Sequence, residues 1–135
     1  IGAPIATGKR AVLFAGDGSF GMNLNELATA VSQKVPLVIL ILNNGVLGMV
    51  RQWQTMFYNK HYSNTTLDRK TDFPALAKAF GAVGLSADDE TSLKEALKQA
   101  FATDGTVLID CKIDDDERVL PMIPPGGAID DLILK

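Results

Sequence analysis

Two short polar stretches, each following an apolar run, hold the side chains best suited to chemistry in this 135-residue chain. Asp17 stands between two glycines in Gly-Asp-Gly-Ser at 16–19, and the pair Asn43 and Asn44 follows the apolar run at 37–42. Carboxylate and amide oxygens are hard donors that suit Mg²⁺ or Ca²⁺ and do not suit zinc. Either stretch alone is also an ordinary turn sequence. The two together, each closing an apolar run, favour a metal site.

The elements that must position these stretches follow from the apolar pattern. Residues 11–16 predict a short strand buried on both faces, and residues 37–42 predict a second buried strand. The segment between them predicts a helix that Pro36 stops. A strand, a helix and a strand in this order indicate a parallel βαβ unit with a right-handed crossover. The inner face of the predicted helix consists of Leu24, Leu27, Ala28 and Val31.

The rest of the chain alternates in the same way, which predicts an α/β fold. We expect a doubly wound, mainly parallel sheet with helices on both faces. Ser92 and Glu95 have the spacing of a capping box for the last helix, whose inner face would be Leu93, Ala96, Leu97 and Ala100. The remaining expected elements are a helix at 45–60, a polar loop at 61–71, a helix capped by Asp72 and ended by Gly81, a strand at 82–87, a helix at 91–103 and a strand at 105–113.

Parallel strands all end at the same edge of a sheet, and ligands bind at that edge in open α/β folds. The fold therefore brings Asp17 and Asn44 together. A helix that starts near residues 20–22 offers free N–H groups to an anion, Gly18 lets the backbone approach it, and the Ser19 hydroxyl can donate. Mg²⁺ usually completes its octahedral shell with water and substrate phosphates. The predicted site is a metal that joins the protein to a diphosphate.

Composition limits the class of protein. Apolar residues make up 47% and charged residues 21% of the chain, as in ordinary globular domains. A net charge of −3 gives no reason to expect a nucleic-acid partner. The longest apolar run, at 35–42, is far shorter than the roughly 20 residues that span a bilayer, and we see no signal-peptide pattern. We expect a cytoplasmic protein without a membrane partner.

Two further features concern the covalent state of the chain. Cys111 is its single cysteine and lies in an apolar run, which predicts a buried structural thiol and neither a disulfide framework nor a cysteine metal site. The chain starts at Ile1 with small apolar residues and no methionine. From this start we expect a piece of a longer polypeptide.

Several other polar residues have simple explanations. His61 is expected to be a solvated loop residue, and Arg51 and Gln52 are expected on the surface of their helix. The acidic run at 114–117 lacks the spacing of an EF-hand loop and predicts a solvated acidic turn. The segment at 120–127 is too rich in proline and glycine for regular structure.

The spacing of the two polar stretches resembles the cofactor motif of thiamine-diphosphate-dependent enzymes. Gly-Asp-Gly at 16–18 is followed by 24 residues and then by the asparagine pair. The resemblance implies that Asp17, Asn44 and the main-chain carbonyl of Val46 bind Mg²⁺, which anchors the diphosphate. The cofactor-binding residues that it implies are Gly16, Asp17, Gly18, Ser19, Asn44, Val46, Leu47, Gly48 and Met49.

Four longer segments resemble the large catalytic subunit of acetolactate synthases, also called acetohydroxyacid synthases. They are GDGSFGMNLNELATA, NNGVLGMVRQWQTMFY, DFPALAKAFG and VLPMIPPGGA. The resemblance covers nearly the whole chain and implies two parts, a thiamine-diphosphate and Mg²⁺ domain at 1–113 and a tail at 114–135 that acts as an active-site lid. It also implies that Met49, Val50 and Trp53 line the substrate channel.

The same resemblance implies a reaction and partners. The family makes 2-acetolactate from two pyruvates, or 2-aceto-2-hydroxybutyrate from pyruvate and 2-oxobutyrate, in branched-chain amino-acid biosynthesis. Its activating glutamate lies on a separate amino-terminal domain and its FAD on a middle domain, and no residue here matches either one. We therefore expect no catalytic residue in this chain and no activity of the chain alone. A homodimer or homotetramer of the full-length subunit, with a small regulatory subunit, is the expected assembly.

Two alternatives remain open. Another thiamine-diphosphate enzyme, such as a glyoxylate carboligase, a pyruvate oxidase or an acetyltransferase, would keep the cofactor and change the acceptor. A non-catalytic nucleotide-binding α/β module is the second alternative, because residues 16–21 match Gly-x-Gly-x-x-Gly literally. Asn43 and Asn44 end the second strand, however, where a dinucleotide fold needs an acidic residue for the ribose.

Overall fold

The computed structural model describes residues 1–68 and 70–134, which form one parallel sheet with helices on both faces. The first half contains α1 (Gly2–Thr7), β1 (Ala11–Gly16), α2 (Asp17–Asn23), a 3₁₀ turn (Leu24–Glu26), α3 (Leu27–Ser32) and β2 (Leu37–Asn43). The second half contains α4 (Gly48–Phe57), α5 (Phe73–Ala79), β3 (Val83–Ala87), α6 (Glu90–Ala102), β4 (Thr106–Lys112) and a 3₁₀ turn (Ile129–Asp131).

The four strands are arranged in the order β1-β2-β4-β3, and each pairing between neighbours is parallel. β1 and β2 are adjacent, as the predicted βαβ unit requires, and Gly16 at the end of β1 pairs with Leu42. The two central strands are in register through Leu40 and Ile109. The predicted α/β fold with a parallel sheet is confirmed.

Each face of the sheet has its own apolar core, because successive side chains of a strand point to opposite faces. On one face α2, α3 and α5 cover Leu37, Ile39, Ile41 and Leu108. On the other face α6 covers a second set of strand residues with the helix face that the sequence predicts. That set is Val38, Leu40, Val107, Ile109 and Cys111. Helices on both faces are therefore present, and burial of these apolar side chains is the main stabilising contribution to the sheet.

The prediction that β1 is buried on both faces is wrong. Val12, Leu13 and Phe14 are 41%, 43% and 68% exposed. β1 is an edge strand that pairs only with β2 within the described part of the chain. Because α6 packs on β3 and β4, at the other side of the sheet, it leaves the neighbouring face of β1 open.

The helix after β1 differs from its prediction in two ways. It begins at Asp17, immediately after the strand, and a 3₁₀ turn separates α2 from α3. Since a 3₁₀ turn has three residues per turn, it rotates the following helix relative to a continuous α-helix. Ala30 is consequently buried in place of Ala28, which is exposed. α3 ends at Ser32, four residues before Pro36.

Local side-chain caps fix the starts of α5 and α6. Asp72 caps α5 as predicted, and its Oδ1 accepts a hydrogen bond of 2.9 Å from the N–H of Ala75. The predicted capping box of Ser92 and Glu95 is wrong, because Asp89 is the N-cap of α6. The Ser92 N–H donates to Asp89 Oδ1 at 2.7 Å, and the Asp89 N–H donates to Ser92 Oγ at 3.1 Å. α6 therefore begins at Glu90, one residue before the predicted boundary.

Beyond the sheet, the residues after β4 form an irregular tail. A single 3₁₀ turn and an isolated antiparallel bridge between Met122 and Ile133 are its only regular features among residues 114–134. The segment at 120–127 contains no helix or strand, as its prolines and glycines predict. None of the helices within 1–68 and 70–134 has both the length and the apolar character needed to cross a bilayer.

Candidate functional site

A cleft of about 530 Å³ opens at the carboxyl edge of the sheet, where β1 and β2 end. The structure brings Asp17 and Asn44, one from each polar stretch, into this one cleft, although α3 and β2 lie between them in sequence. Residues from the tail complete its wall. The cleft is lined by Gly16, Asp17, Gly18, Ser19, Leu42, Asn44, Val46, Leu47, Gly48, Met49, Val50, Ile113, Glu117, Arg118 and Val119.

Asp17 enters the cleft from the junction of β1 and α2. Its side chain is only 3% exposed, and Gly16 before it has an extended backbone that turns the chain from strand to helix. A Cβ added at Gly18 would lie 3.3 Å from Leu47 and 3.4 Å from Leu67. The missing side chain at Gly18 therefore lets the start of α2 approach the loop that follows β2.

The loop after β2 is held by an antiparallel bridge between Val46 and Thr66. Hydrogen bonds of 2.7 and 2.8 Å, donated by the N–H groups of Leu47 and Leu67, flank the bridge on either side. In an antiparallel pair of this type the two bridging residues do not bond to each other. The N–H and carbonyl groups of Val46 consequently point away from Thr66.

Asn44 lies on the side of the loop to which those two groups point. Its Oδ1 accepts a hydrogen bond of 3.2 Å from the Val46 N–H. Since the N–H and carbonyl of an extended residue point to the same side, the Val46 carbonyl and the Asn44 amide face the same region. One carbonyl oxygen and one amide oxygen are thereby brought to the cleft that Asp17 also lines.

The neighbouring asparagine has a different environment. Asn43 donates from Nδ2 to Oδ1 of the buried Asp110 at 2.9 Å, and Lys112 forms an ion pair with the other carboxylate oxygen at 3.1 Å. The Asn43 carbonyl accepts from the N–H of Ile113 at 3.1 Å. Asn43 therefore ties the end of β2 to β4, and Asn44 is the member of the pair that lines the cleft.

Helix α4 lies beside the cleft and presents an apolar face to a second hollow of about 690 Å³. Met49 and Val50 line both hollows, whereas Trp53 lines only the larger one. The Trp53 ring packs edge-on against Phe57 with 5.8 Å between centroids. All three predicted channel residues are thus on one accessible surface. The remaining lining residues of the larger hollow are Gln54, Tyr58, Asn59 and His61.

The prediction that Arg51 and Gln52 are surface groups is wrong. Gln52 is 5% exposed, and its Nε2 donates to the Val119 carbonyl at 3.1 Å while its Oε1 accepts from the Val119 N–H at 2.8 Å. Arg51 contacts the acidic residues of the tail and lies over the ring of Tyr62, with 4.4 Å from its guanidinium carbon to the centroid. Both side chains contact other segments of the chain, so helix position alone did not reveal their role.

The acidic turn of the tail is exposed, as predicted, but two of its carboxylates have a partner. Arg51 Nε donates to Asp116 at 2.8 Å, and its Nη2 lies 3.3 Å from a carboxylate oxygen of Asp115. The hydrogen bond from Arg51 lowers the pKa of Asp116, and the same bond raises the pKa of Arg51. A sequence signal for this contact did exist, since Arg51 is the single basic residue of α4 and the tail begins with a run of acids.

Two other predicted environments are confirmed. His61 is exposed and belongs to an irregular loop. Cys111 is buried on β4, and desolvation raises the pKa of its thiol, which keeps the sulfur protonated and unreactive. Neither residue lines the cleft that contains Asp17.

Comparison with protein families gives one match that spans most of the chain. Residues 1–111 match the family described as "Thiamine pyrophosphate enzyme, C-terminal TPP binding domain". The chain is also 40% identical over its full length to the acetolactate synthase isozyme 2 large subunit of Escherichia coli, covering 25% of that protein. It is 42% identical over 98% of its length to the mitochondrial acetolactate synthase catalytic subunit of Saccharomyces cerevisiae, covering 19% of it.

Solved structures give the same result for the fold. The chain is similar to the thiamine diphosphate-dependent 4-hydroxybenzoylformate decarboxylase of Rhodococcus jostii, with a TM-score of 0.79 and 28% identity over 87% of this chain and 22% of that one. It is also similar to the benzoylformate decarboxylase of Polynucleobacter necessarius, with a TM-score of 0.77 and 26% identity. The chain therefore spans about a quarter of the length of the proteins that it matches.

Proposed function

The chain belongs to the family of C-terminal TPP-binding domains of thiamine pyrophosphate enzymes, and from this premise we propose that the cleft holds Mg²⁺ and the diphosphate of thiamine diphosphate. The observation that carries the proposal is the meeting of Asp17, Asn44 and Val46 in one cleft at the carboxyl edge of the sheet. A carboxylate, an amide oxygen and a main-chain carbonyl form the hard oxygen set that Mg²⁺ prefers.

The surroundings of these three groups fit a diphosphate as well as a metal. Ser19, whose hydroxyl can donate a hydrogen bond, lines the same cleft together with Gly18 and Gly48. A Cβ at Gly48 would lie 3.0 Å from the Asn44 amide nitrogen, so a larger residue there would shift the proposed ligand. Mg²⁺ leaves part of its shell to phosphate oxygens and water, which a cleft of this size accommodates.

We assign the full-length protein to the acetolactate synthases. Relatives with that name match the whole chain at about 40% identity, and the match includes the segment with Trp53. The proposed reaction decarboxylates pyruvate and joins the two-carbon unit to a second 2-oxo acid, either pyruvate or 2-oxobutyrate. We further propose that the full-length protein carries FAD on another domain. It would form a homodimer or homotetramer and associate with a small regulatory subunit. The cytoplasmic location stays a prediction, since the yeast relative is named as mitochondrial.

The residues of this chain would bind and orient in that reaction, while the thiamine ring supplies the carbon nucleophile when the cofactor is bound. Asp17, Asn44 and Val46 hold the metal. Met49, Val50 and Trp53 provide an apolar wall beside the cleft, and such a wall favours the loss of a carboxylate charge because it excludes water. We place the activating glutamate outside this chain, and the chain alone is expected to be inactive.

Calorimetric titration tests the cofactor assignment directly. Thiamine diphosphate should bind the protein in the presence of Mg²⁺ and bind far more weakly after the metal is chelated. NAD, titrated under the same conditions, serves as the comparison because residues 16–21 also match a dinucleotide pattern. Binding of NAD together with no binding of thiamine diphosphate would replace this proposal with the nucleotide-binding module.

The acceptor is tested in the full-length protein. Pyruvate alone and pyruvate with 2-oxobutyrate should yield the two acetohydroxy acids. Product formation only with glyoxylate, or only with phosphate as acceptor, would assign the protein to a carboligase or an oxidase of the same cofactor family. Steady acetolactate production by the 135-residue chain by itself would contradict the placement of the activating group on another domain.

A further inference from the structure

One feature outside the metal site links the tail to helix α4. The side-chain amide of Gln52 forms two hydrogen bonds to the backbone of one residue, Val119, and its nitrogen also lies 2.9 Å from the sulfur of Met122. Gln52 is 5% exposed although Val119 is 65% exposed, so an unpaired amide at position 52 would be costly. The contact joins positions 67 residues apart in sequence.

The segment that Gln52 holds is a wall of the proposed cofactor cleft. Glu117, Arg118 and Val119 line the cleft, and they belong to the irregular tail. Arg51 adds ion pairs to Asp115 and Asp116, both more than half exposed, which contribute little because water screens them. The buried amide of Gln52 is therefore the main fastening of this wall.

We propose that Gln52 is a positioning residue that fastens the tail at Val119 and so sets the wall of the cofactor cleft. The tail has almost no regular structure of its own, and its place at the cleft is determined by α4. When Gln52 releases Val119, the segment around Arg118, which is already exposed, moves away from α4 and the cleft opens on that side. The effect on cofactor binding rests on the proposed function, whereas the fastening itself does not.

Helix α4 offers a matched control two residues away. Gln54 makes the same pair of contacts to a different segment: its Nε2 donates to the Ser63 carbonyl at 3.3 Å and its Oε1 accepts from the Ser63 N–H at 2.9 Å. Gln54 does not line the cofactor cleft. The two glutamines thus hold the tail and the loop after α4 by the same chemistry, and only the first is expected to affect the cofactor.

Limited proteolysis of purified protein separates the two contacts. Trypsin cuts after Arg118, next to the N–H that Gln52 holds, and after Lys60, close to Ser63. Gln52→Met preserves length and removes both hydrogen bonds, so cleavage after Arg118 should accelerate about tenfold or more, because proteolysis follows the population of the open form. Gln54→Met should accelerate cleavage after Lys60 and leave the Arg118 site unchanged. Equal cleavage after Arg118 in Gln52→Met and in the parent protein would overturn the proposal.

A second readout tests the role in the cleft. Thiamine diphosphate with Mg²⁺ should dissociate several-fold faster from Gln52→Met than from Gln54→Met, at unchanged melting temperature. A released tail with unchanged dissociation would contradict the positioning role. If thiamine diphosphate binds none of the proteins, the proposed function fails while the cleavage pattern still decides the fastening. Should Gln52→Met not fold, Gln52→Glu serves in its place: it loses the donor and brings a carboxylate against the Val119 carbonyl, so cleavage after Arg118 should again be faster than in the parent protein.

Discussion

The sheet with α5 and α6 and the layer formed by α4 and the tail are held together by different forces. Residues such as Ile41 and Leu108 are fully buried in apolar cores. The helices α5 and α6 begin at local caps, in which the bonded residues are three positions apart in sequence. The layer of α4 and the tail depends mainly on Gln52, whose amide reaches residues far away in sequence, with a small contribution from the exposed ion pairs of Arg51. The cleft lies where the two regions meet.

The difference teaches where stability and ligand binding can be changed separately. Removing an apolar contact from the cores should affect the whole fold, because the cores cover both faces of the sheet. Changing a polar contact of the α4 layer should alter the cleft and leave the sheet folded. The predictions that follow compare the two regions, from the largest expected effect to the smallest.

Gly84→Ala is expected to have the largest effect. A Cβ at Gly84 on β3 would lie 2.1 Å from the Pro74 carbonyl oxygen of α5, which is backbone that cannot rotate away. We expect a loss of about 3 kcal/mol or more in the free energy of unfolding. Urea denaturation of Gly84→Ala and of Gly2→Ala, where a Cβ meets nothing within 4 Å, gives the measurement and its control. Equal stability of the two variants would show that α5 is not packed closely on β3.

Gly48→Ala should separate binding from stability. The added Cβ would lie 3.0 Å from the Asn44 amide nitrogen, so that side chain would have to shift within the cleft. Since alanine has the higher helix propensity, α4 should be as stable as before. Thiamine diphosphate affinity in the presence of Mg²⁺ should fall about tenfold, which corresponds to about 1.4 kcal/mol. A Gly48→Ala variant that is less stable than the parent and binds thiamine diphosphate normally would contradict this prediction.

Asp89→Ala is expected to affect stability only. Asp89 caps α6, and hydrogen bonds from Ser92 lower the pKa of its carboxyl. Its contribution is therefore complete above the unfolded pKa of about 3.9 and is lost as the pH falls through the lower folded pKa. The melting temperature should fall by a few degrees near neutral pH, and the gap to the parent should narrow in strong acid. Calorimetric scans across this range, with cofactor titration at neutral pH, would detect any unexpected effect on binding.

Local and topological signals explain what could be predicted from the sequence. Strand ends of a parallel sheet share an edge, so the meeting of Asp17 and Asn44 followed from two apolar runs. Composition alone could not predict which of the two asparagines lines the cleft, because the partner of Asn43 is Asp110 on a strand much later in the chain. Resemblance to a family had already selected Asn44, and the structure gives the physical reason.

Other features depend on contacts that no local pattern contains. The apolar run of β1 predicts a strand but cannot show which neighbours cover it, and Phe14 is 68% exposed. The spacing of Ser92 and Glu95 predicted the cap of α6, whereas the geometry makes Asp89 its N-cap. The fastening of Val119 by Gln52 joins two segments 67 residues apart through polar atoms, so hydrophobic periodicity gave no sign of it.

Binding of thiamine diphosphate by Asp17→Ala tests the central claim most directly. Asp17 is the one carboxylate that the account assigns to the metal, and it is not a member of either apolar core. We predict that Mg²⁺-dependent binding, measured by titration calorimetry, is reduced at least a hundredfold while circular dichroism shows a folded sheet. Asp116→Ala, which removes an exposed carboxylate of the tail, should bind the cofactor nearly as well as the parent. Unchanged Mg²⁺-dependent affinity in folded Asp17→Ala would contradict the account.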